Sequence, residues 1–143
     1  MEILLVVGII AILAGIVIIA INPAKQLSDA RNAQRRSDVL TILNAIYQYE
    51  IDHNGQVTNL NSGHGFAGDT TDNCTDADTE AFSGLNNYLV TASSTYLTAI
   101  PVDPTTGVAN SSSDYWVHSN TSSGRITVCA PSAENGVVIK VTR

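Results

Sequence analysis

The sequence predicts an α+β chain: one long N-terminal α-helix, apolar in its first half and amphipathic in its second, packed on a small antiparallel β-sheet. Three observations lead there. Residues Ile3 to Ile21 carry neither a charge nor a polar side chain. From Leu27 to Ile51 apolar residues recur at helical spacing. Near the C-terminus, three β-branched or aromatic runs are separated by turn-forming residues.

The first segment, residues 1–22, is expected to be a transmembrane or multi-chain-core helix. Nineteen apolar residues at about 1.5 Å each span roughly 28 Å, close to the hydrocarbon thickness of a bilayer. A helix apolar on every side needs lipid or protein around it, and a 143-residue chain has too little material to wrap it. A signal peptide fits poorly: nothing basic precedes the run, and no small-residue cleavage pattern follows it. Lys25, Arg31, Arg35 and Arg36 follow the run, which by the positive-inside rule conflicts with an extracytoplasmic C-terminal part unless a basic leader precedes it. Glu2 has two readings, an acid at the headgroup level or a buried acid that needs a cationic partner. Gly8, Ala11, Ala14 and Gly15 recur at three- and four-residue spacing, which lets helices approach closely.

Asn22-Pro23 is expected to weaken or kink the helix, because proline removes a backbone donor and crowds the preceding turn. Residues 23–53 then continue as an amphipathic helix. Leu27, Ala30, Ala33, Val39, Leu40, Ile42, Leu43, Ile46, Tyr47, Tyr49 and Ile51 form its broad apolar face. Arg31, Arg35 and Arg36 alternate with Asp29 and Asp38, so a solvated face or local pairing is expected rather than a lipid- or partner-binding patch. Gly55 is expected at the C′ position that ends the helix.

Residues 54–84 read as an acidic polar loop. Asp69, Asp72, Asp76, Asp78 and Glu80 raise the question of calcium, but no register supplies both the turn glycine and the terminal acid of an EF-hand. Residues 85–143 read as the sheet-bearing part of the globular domain. A short helical or extended piece is expected near Leu85–Thr91, then a rigid turn at Ile100-Pro101-Val102-Asp103-Pro104. Tyr115–Ser119, Arg125–Ala130 and Val137–Thr142 should form an antiparallel meander covering the apolar helix face. Asp103 and Asp114 are weak candidates for a metal cation, with turn capping the ordinary reading. Cys74 and Cys129 are expected to pair in a disulfide if the domain lies outside the cytoplasm.

Charge excludes one class of function. The formal charge is −6, and all of it falls in residues 51–143, where nine acids face three bases. A surface built to neutralise phosphates needs the opposite balance, so no direct nucleic-acid partner is expected. No catalytic constellation stands out: His53, His64 and His118 lack metal-ligand spacing, and no nucleophile elbow or phosphate loop is present. An enzyme is not expected, nor is a cofactor.

The order of acid, apolar helix, proline, amphipathic helix, polar loop and small sheet is specific. Residues 2–14, Glu-Ile-Leu-Leu-Val-Val-Gly-Ile-Ile-Ala-Ile-Leu-Ala, resemble the N-terminal signature of type IV pilins and of the related type II secretion pseudopilins. Ile100 to Gly107 followed by Tyr115 is similar to a stretch that precedes the sheet in major pseudopilins. The resemblance implies a pilin-like fold and a precursor with a short basic leader, cut and N-methylated by a prepilin peptidase. It implies subunits held in the inner membrane and then stacked by an ATPase-driven pilus assembly machinery into a homopolymeric surface filament with the helices at its core. Glu2 then takes the family's role of pairing with a neighbour's terminal amine, and Gly8, Gly15 and Pro23 belong to the assembly helix. The family places four residues before this acid, where Met1 alone stands here, and its helix-breaking proline often sits nearer the acid. The expected function is a major pilin for adhesion, motility or DNA uptake. The alternatives are a pseudopilin of a type II secretion system and a monomeric, membrane-anchored extracytoplasmic binding domain.

Overall fold

A computed structural model describes residues 2–55, 67–69, 86–90, 96–108, 113–120 and 123–143. Two helices open the chain, α1 (Glu2–Ile21) and α2 (Pro23–Asp52). They are followed by the short strand β1 (Ala67–Asp69), a single π-helical turn (Asn86–Val90), and strands β2 (Trp116–Asn120), β3 (Ile126–Ala130) and β4 (Ile139–Thr142). The architecture is α+β.

α1 buries none of its residues, and Ile19 is 85% exposed. It is long and apolar enough to span a membrane or to be a signal sequence. The expected kink is a clean break. Asn22 adopts a left-handed conformation, φ 42°, which a short polar side chain tolerates better than most. Its carbonyl accepts from the backbone N–H groups of Lys25 (3.1 Å) and Gln26 (3.3 Å), and its side chain caps Lys25 as well. Pro23 occupies the first helical position, where its missing N–H costs nothing. The proline therefore starts a second helix rather than bending the first.

At its far end α2 closes with a Schellman motif. Asn54 takes the left-handed C′ position (φ 56°), and the Gly55 N–H reaches back to the Glu50 carbonyl at 2.8 Å. Gly55 thus lies one residue beyond the place expected of it.

β2, β3 and β4 form the expected antiparallel meander, with Val117 opposite Val128 and Cys129 opposite Lys140. β1 pairs in parallel with β2 and extends the sheet to four strands in the order β1-β2-β3-β4. Ala67-Gly68-Asp69 has no strand propensity of its own. The open edge of β2 supplies the pairing, so a strand lies within a stretch expected to be loop throughout.

The core lies between α2 and one face of the sheet. Val39, Ile42, Leu43, Ile46 and Tyr49 of α2 meet Val117, Ile126, Val128, Ala130 and Ile139. Leu89 of the π-helical turn, Ile100 and Tyr115 close the ends of this layer. Burying each large apolar side chain is worth about 1.5–3 kcal/mol, so this cluster is the main term holding helix to sheet. β3 is buried along its whole length, on both faces. On the face away from α2, the hydroxyls of Thr127 and Thr142 pair at 2.8 Å. His118, only 3% exposed, finds no hydrogen-bond partner for either ring nitrogen among the described residues.

Of the expected apolar face of α2, Val39, Ile42, Leu43, Ile46 and Tyr49 are buried, whereas residues at both ends and along its edge are not. Leu27, Leu40 and Ile51 are exposed, Ile51 at 77%. The buried residues before Val39 are Ser28, Asn32 and Arg35. They lie in helical phase with the core positions that follow, so the buried stripe is continuous but changes from polar to apolar along its length. The opposite side of the helix is also unusual. Ala33, Ser37, Leu40, Asn44, Gln48 and Ile51 form an exposed stripe that carries no charge.

Candidate functional site

Two regions stand out, the bare helix α1 and an ionic cluster under the globular part. Glu2 opens the first turn of α1, where a carboxylate is favourable beside the helix N-terminus. It is exposed, and among the described residues its carboxylate has no partner. Gly8 and Gly15 lie seven residues apart and so on one face of α1. Nothing lies within 4 Å of where a side chain would begin at either glycine. Pro23 is two residues beyond the far end of the helix, at the start of α2. The four expected assembly residues are thus distributed along one apolar rod and its end.

The ionic cluster is built on Arg35, which is fully buried. Its guanidinium satisfies all five donors. Nε gives to Asp103 Oδ2 at 2.7 Å and Nη2 to Asp103 Oδ1 at 3.0 Å. Nη2 also reaches the Thr105 hydroxyl at 2.7 Å. Nη1 gives to Asn32 Oδ1 at 3.0 Å and to Glu134 Oε2 at 2.9 Å. Arg31 grips the same Glu134 with Nε (2.7 Å) and Nη2 (2.6 Å). Asn32 clamps the backbone of Glu134 in both directions: its amide donates to the Glu134 carbonyl, and its oxygen accepts the Glu134 N–H. Asn135 completes the turn, donating to the Ser28 hydroxyl and the Asp29 carboxylate.

The cluster corrects the expectation for two of the arginines. Arg36 is exposed as expected, but Arg35 is fully buried, Arg31 is only partly exposed, and neither of these two pairs with Asp29 or Asp38; their partners lie about seventy and one hundred residues away. Asp38 instead accepts from the Tyr115 hydroxyl at 2.8 Å. Asp103 is buried against the Arg35 guanidinium and caps its own turn, the ordinary reading of this residue. Its Oδ1 accepts from the N–H groups of Thr105 and Thr106 and from the Thr105 hydroxyl. Asp114, at φ 58°, accepts from the hydroxyls of Thr106 and Ser132. Among the described residues no group of three His, Cys, Asp or Glu side chains is placed to hold a metal ion.

The electrostatics follow from these contacts. Burial pushes the Asp103 carboxyl up, but the Arg35 guanidinium and the Thr105 and Thr106 donors outweigh it and hold it well below the usual carboxylate range. Arg31, then Arg35, lower Glu134 to about 2. Arg35 is raised, chiefly by its bond to Asp103. Burial raises both the Tyr115 phenol and its partner Asp38. In Tyr115 the carboxylate beside it adds to that rise.

Sequence reasoning missed Asn32, Glu134 and Asn135 as members of one cluster. Arg35 lies seven residues from Ser28 and three from Asn32, in phase with Val39, Ile42 and Ile46. Extending the core phase backwards from Val39 would have found the helix side of it.

Cys129 on β3 is fully buried and disulfide-bonded, and the described residues contain no free cysteine. The other half of the expected pair, Cys74, lies outside the described residues, as do Asp72, Asp76, Asp78 and Glu80 of the acidic loop. No protein-family model, no characterised protein and no solved structure matches this chain.

Proposed function

We propose that the chain is the structural subunit of a helical filament, a major pilin of the type IV kind. In this reading α1 is held in the inner membrane before assembly and in the filament core afterwards. The observation that carries the proposal is a rod of twenty residues, apolar on every side beyond Glu2, with none of them buried in the chain's own fold. Such a rod needs lipid or other chains around it. The uncharged exposed stripe of α2 supports the same reading, because a face meant only for water normally carries charge. Glu2 supplies the acid that a neighbour's terminal amine neutralises, and Gly8 and Gly15 give neighbouring helices close approach. The globular part, with its −6 balance, faces outward and confers the surface properties of the fibre.

Electron microscopy of the fraction sheared from cells, with antibody raised to residues 54–143, tests this directly. Label along long thin fibres is the expected result. Protein confined to the envelope, with fibres unlabelled, would overturn the proposal in favour of a short secretion pseudofilament or a monomeric anchor. Glu2→Ala separates those two: the filament readings expect loss of assembly, and the monomeric anchor expects none.

A further inference from the structure

We propose that the cleft where α2 meets the turn at 134–135 receives the phosphate of an anionic phospholipid, and so seats the globular part on the bilayer before assembly. The proposal rests on the membrane-held stage of the function proposed above. The cleft is open, about 490 Å³ in volume, and lined by Asn22, Ala24, Lys25, Ser28, Arg31, Glu134 and Asn135. All but one of these side chains are polar. Its first lining residue directly follows Ile21, the last residue of α1. Chain connectivity therefore puts the cleft at the level where an apolar helix of this length leaves hydrocarbon for headgroups.

The charges in the cleft are of two kinds. Glu134 is spent twice, on Arg31 and on Arg35. Lys25 enters no ion pair among the described residues, and its side chain is exposed. Arg31 engages Glu134 through Nε and Nη2, which leaves Nη1 unused in that fork. The cleft thus offers an ammonium and one edge of a guanidinium beside a single lining carboxylate, Glu134, that already serves two arginines. Asp29, just outside, is held by Asn135. A phosphodiester matches this set: its oxygens accept from both cations, and a planar guanidinium edge suits phosphate geometry. Asn22 and Asn135 line the same cleft with polar side chains. A lysine placed at the headgroup level is held there by the anionic surface, at a gain of about 1 kcal/mol per basic residue.

The test reconstitutes the full chain into bilayers of phosphatidylcholine containing spin-labelled phosphatidylglycerol or spin-labelled phosphatidylcholine. The readout is the fraction of each label that the protein immobilises. The wild type should prefer the phosphatidylglycerol label. Lys25→Gln should reduce that preference about five-fold, the equivalent of ~1 kcal/mol per basic residue at an anionic surface. Arg36→Gln, on the same helix but outside the cleft, should leave it unchanged. Inorganic phosphate should act no differently from chloride at equal ionic strength. Equal immobilisation of the two lipids by the wild type, or an unaltered preference in Lys25→Gln, would overturn the proposal while leaving α1 in the membrane. Selective displacement by phosphate would also overturn it, and would assign the cleft to a free anion. Protein that floats free of lipid altogether would remove the membrane-held stage and the headgroup site together.

Discussion

Asp103→Ala is the sharpest test of the ionic cluster. The substitution removes both carboxylate oxygens facing Arg35, so two of the five guanidinium donors lose their acceptor while the group stays fully buried. Glu134 remains, but it is partly exposed and already divided between two arginines. Removing one partner of a buried ion pair typically costs about 3–5 kcal/mol, because the remaining charge is stranded. Loss of the acceptor for the Thr105 and Thr106 N–H groups acts in the same direction. Against a usual domain stability of about 5–15 kcal/mol, the variant should be visibly weakened and still folded in the middle of that range. The companion variant Arg35→Met/Asp103→Leu removes both charges and fills the space, and it should cost far less than the sum of the two single changes. Urea denaturation of the full chain in detergent, followed by circular dichroism, measures all four corners of this cycle. A cost below about 1 kcal/mol for Asp103→Ala, or a double variant equal to the sum of the singles, would refute the idea that Arg35 and Asp103 form one buried unit.

The remaining predictions concern acid and packing. Asp103 and Glu134 have folded-state pKa values below their unfolded ones, so folding holds these carboxylates ionised more firmly than the open chain does. Their stabilisation is fully present above the unfolded values near 4, declines as the pH falls toward the Glu134 value of about 2, and goes on declining below it as Asp103 titrates. Melting temperature plotted against pH should therefore fall steeply below about pH 4 in the wild type and less steeply in the Arg35→Met/Asp103→Leu variant; parallel curves would contradict this. Gly107→Ala should destabilise by about 1–3 kcal/mol, because overpacking forces backbone to shift. A Cβ there would lie 2.6 Å from the Asp103 backbone nitrogen and against the Val102 side chain. An unchanged urea midpoint would show that this turn can yield.

The sequence carried the periodic features well and the long-range polar ones poorly. The break at Asn22-Pro23, the second helix through Asp52 and the three-stranded meander each rest on local rules, and local rules are visible in one stretch of chain. The exposure of Leu40 and Ile51 was not legible in that way: helical spacing shows that a face exists but not how wide a sheet will cover it. The sheet covers the phase of Val39, Ile42 and Ile46 and leaves Leu40 outside. Arg35 illustrates the same limit in the polar direction. Asp38, three residues on, is at pairing distance along a helix, and nothing local reveals that Asp103 and Glu134 outcompete it. β1 escaped notice because its residues have no strand character and are recruited by an edge formed fifty residues later.

The two halves of the buried stripe of α2 respond differently to force. A pull entering through α1 reaches α2 at its first turn, where the first contacts met are Ser28, Asn32 and Arg35 with the turn at 134–135 and the loop at 103–105. Contacts of this kind have a short range of action: a displacement of an ångström or so ruptures a directed hydrogen bond, whereas apolar side chains slide against a sheet and re-form contact. The polar half therefore behaves as a stiff bracket and the apolar half as a compliant bearing behind it. Load along the helix concentrates on Arg35 and its partners, and their rupture sets the tension at which the globular part begins to peel from its helix.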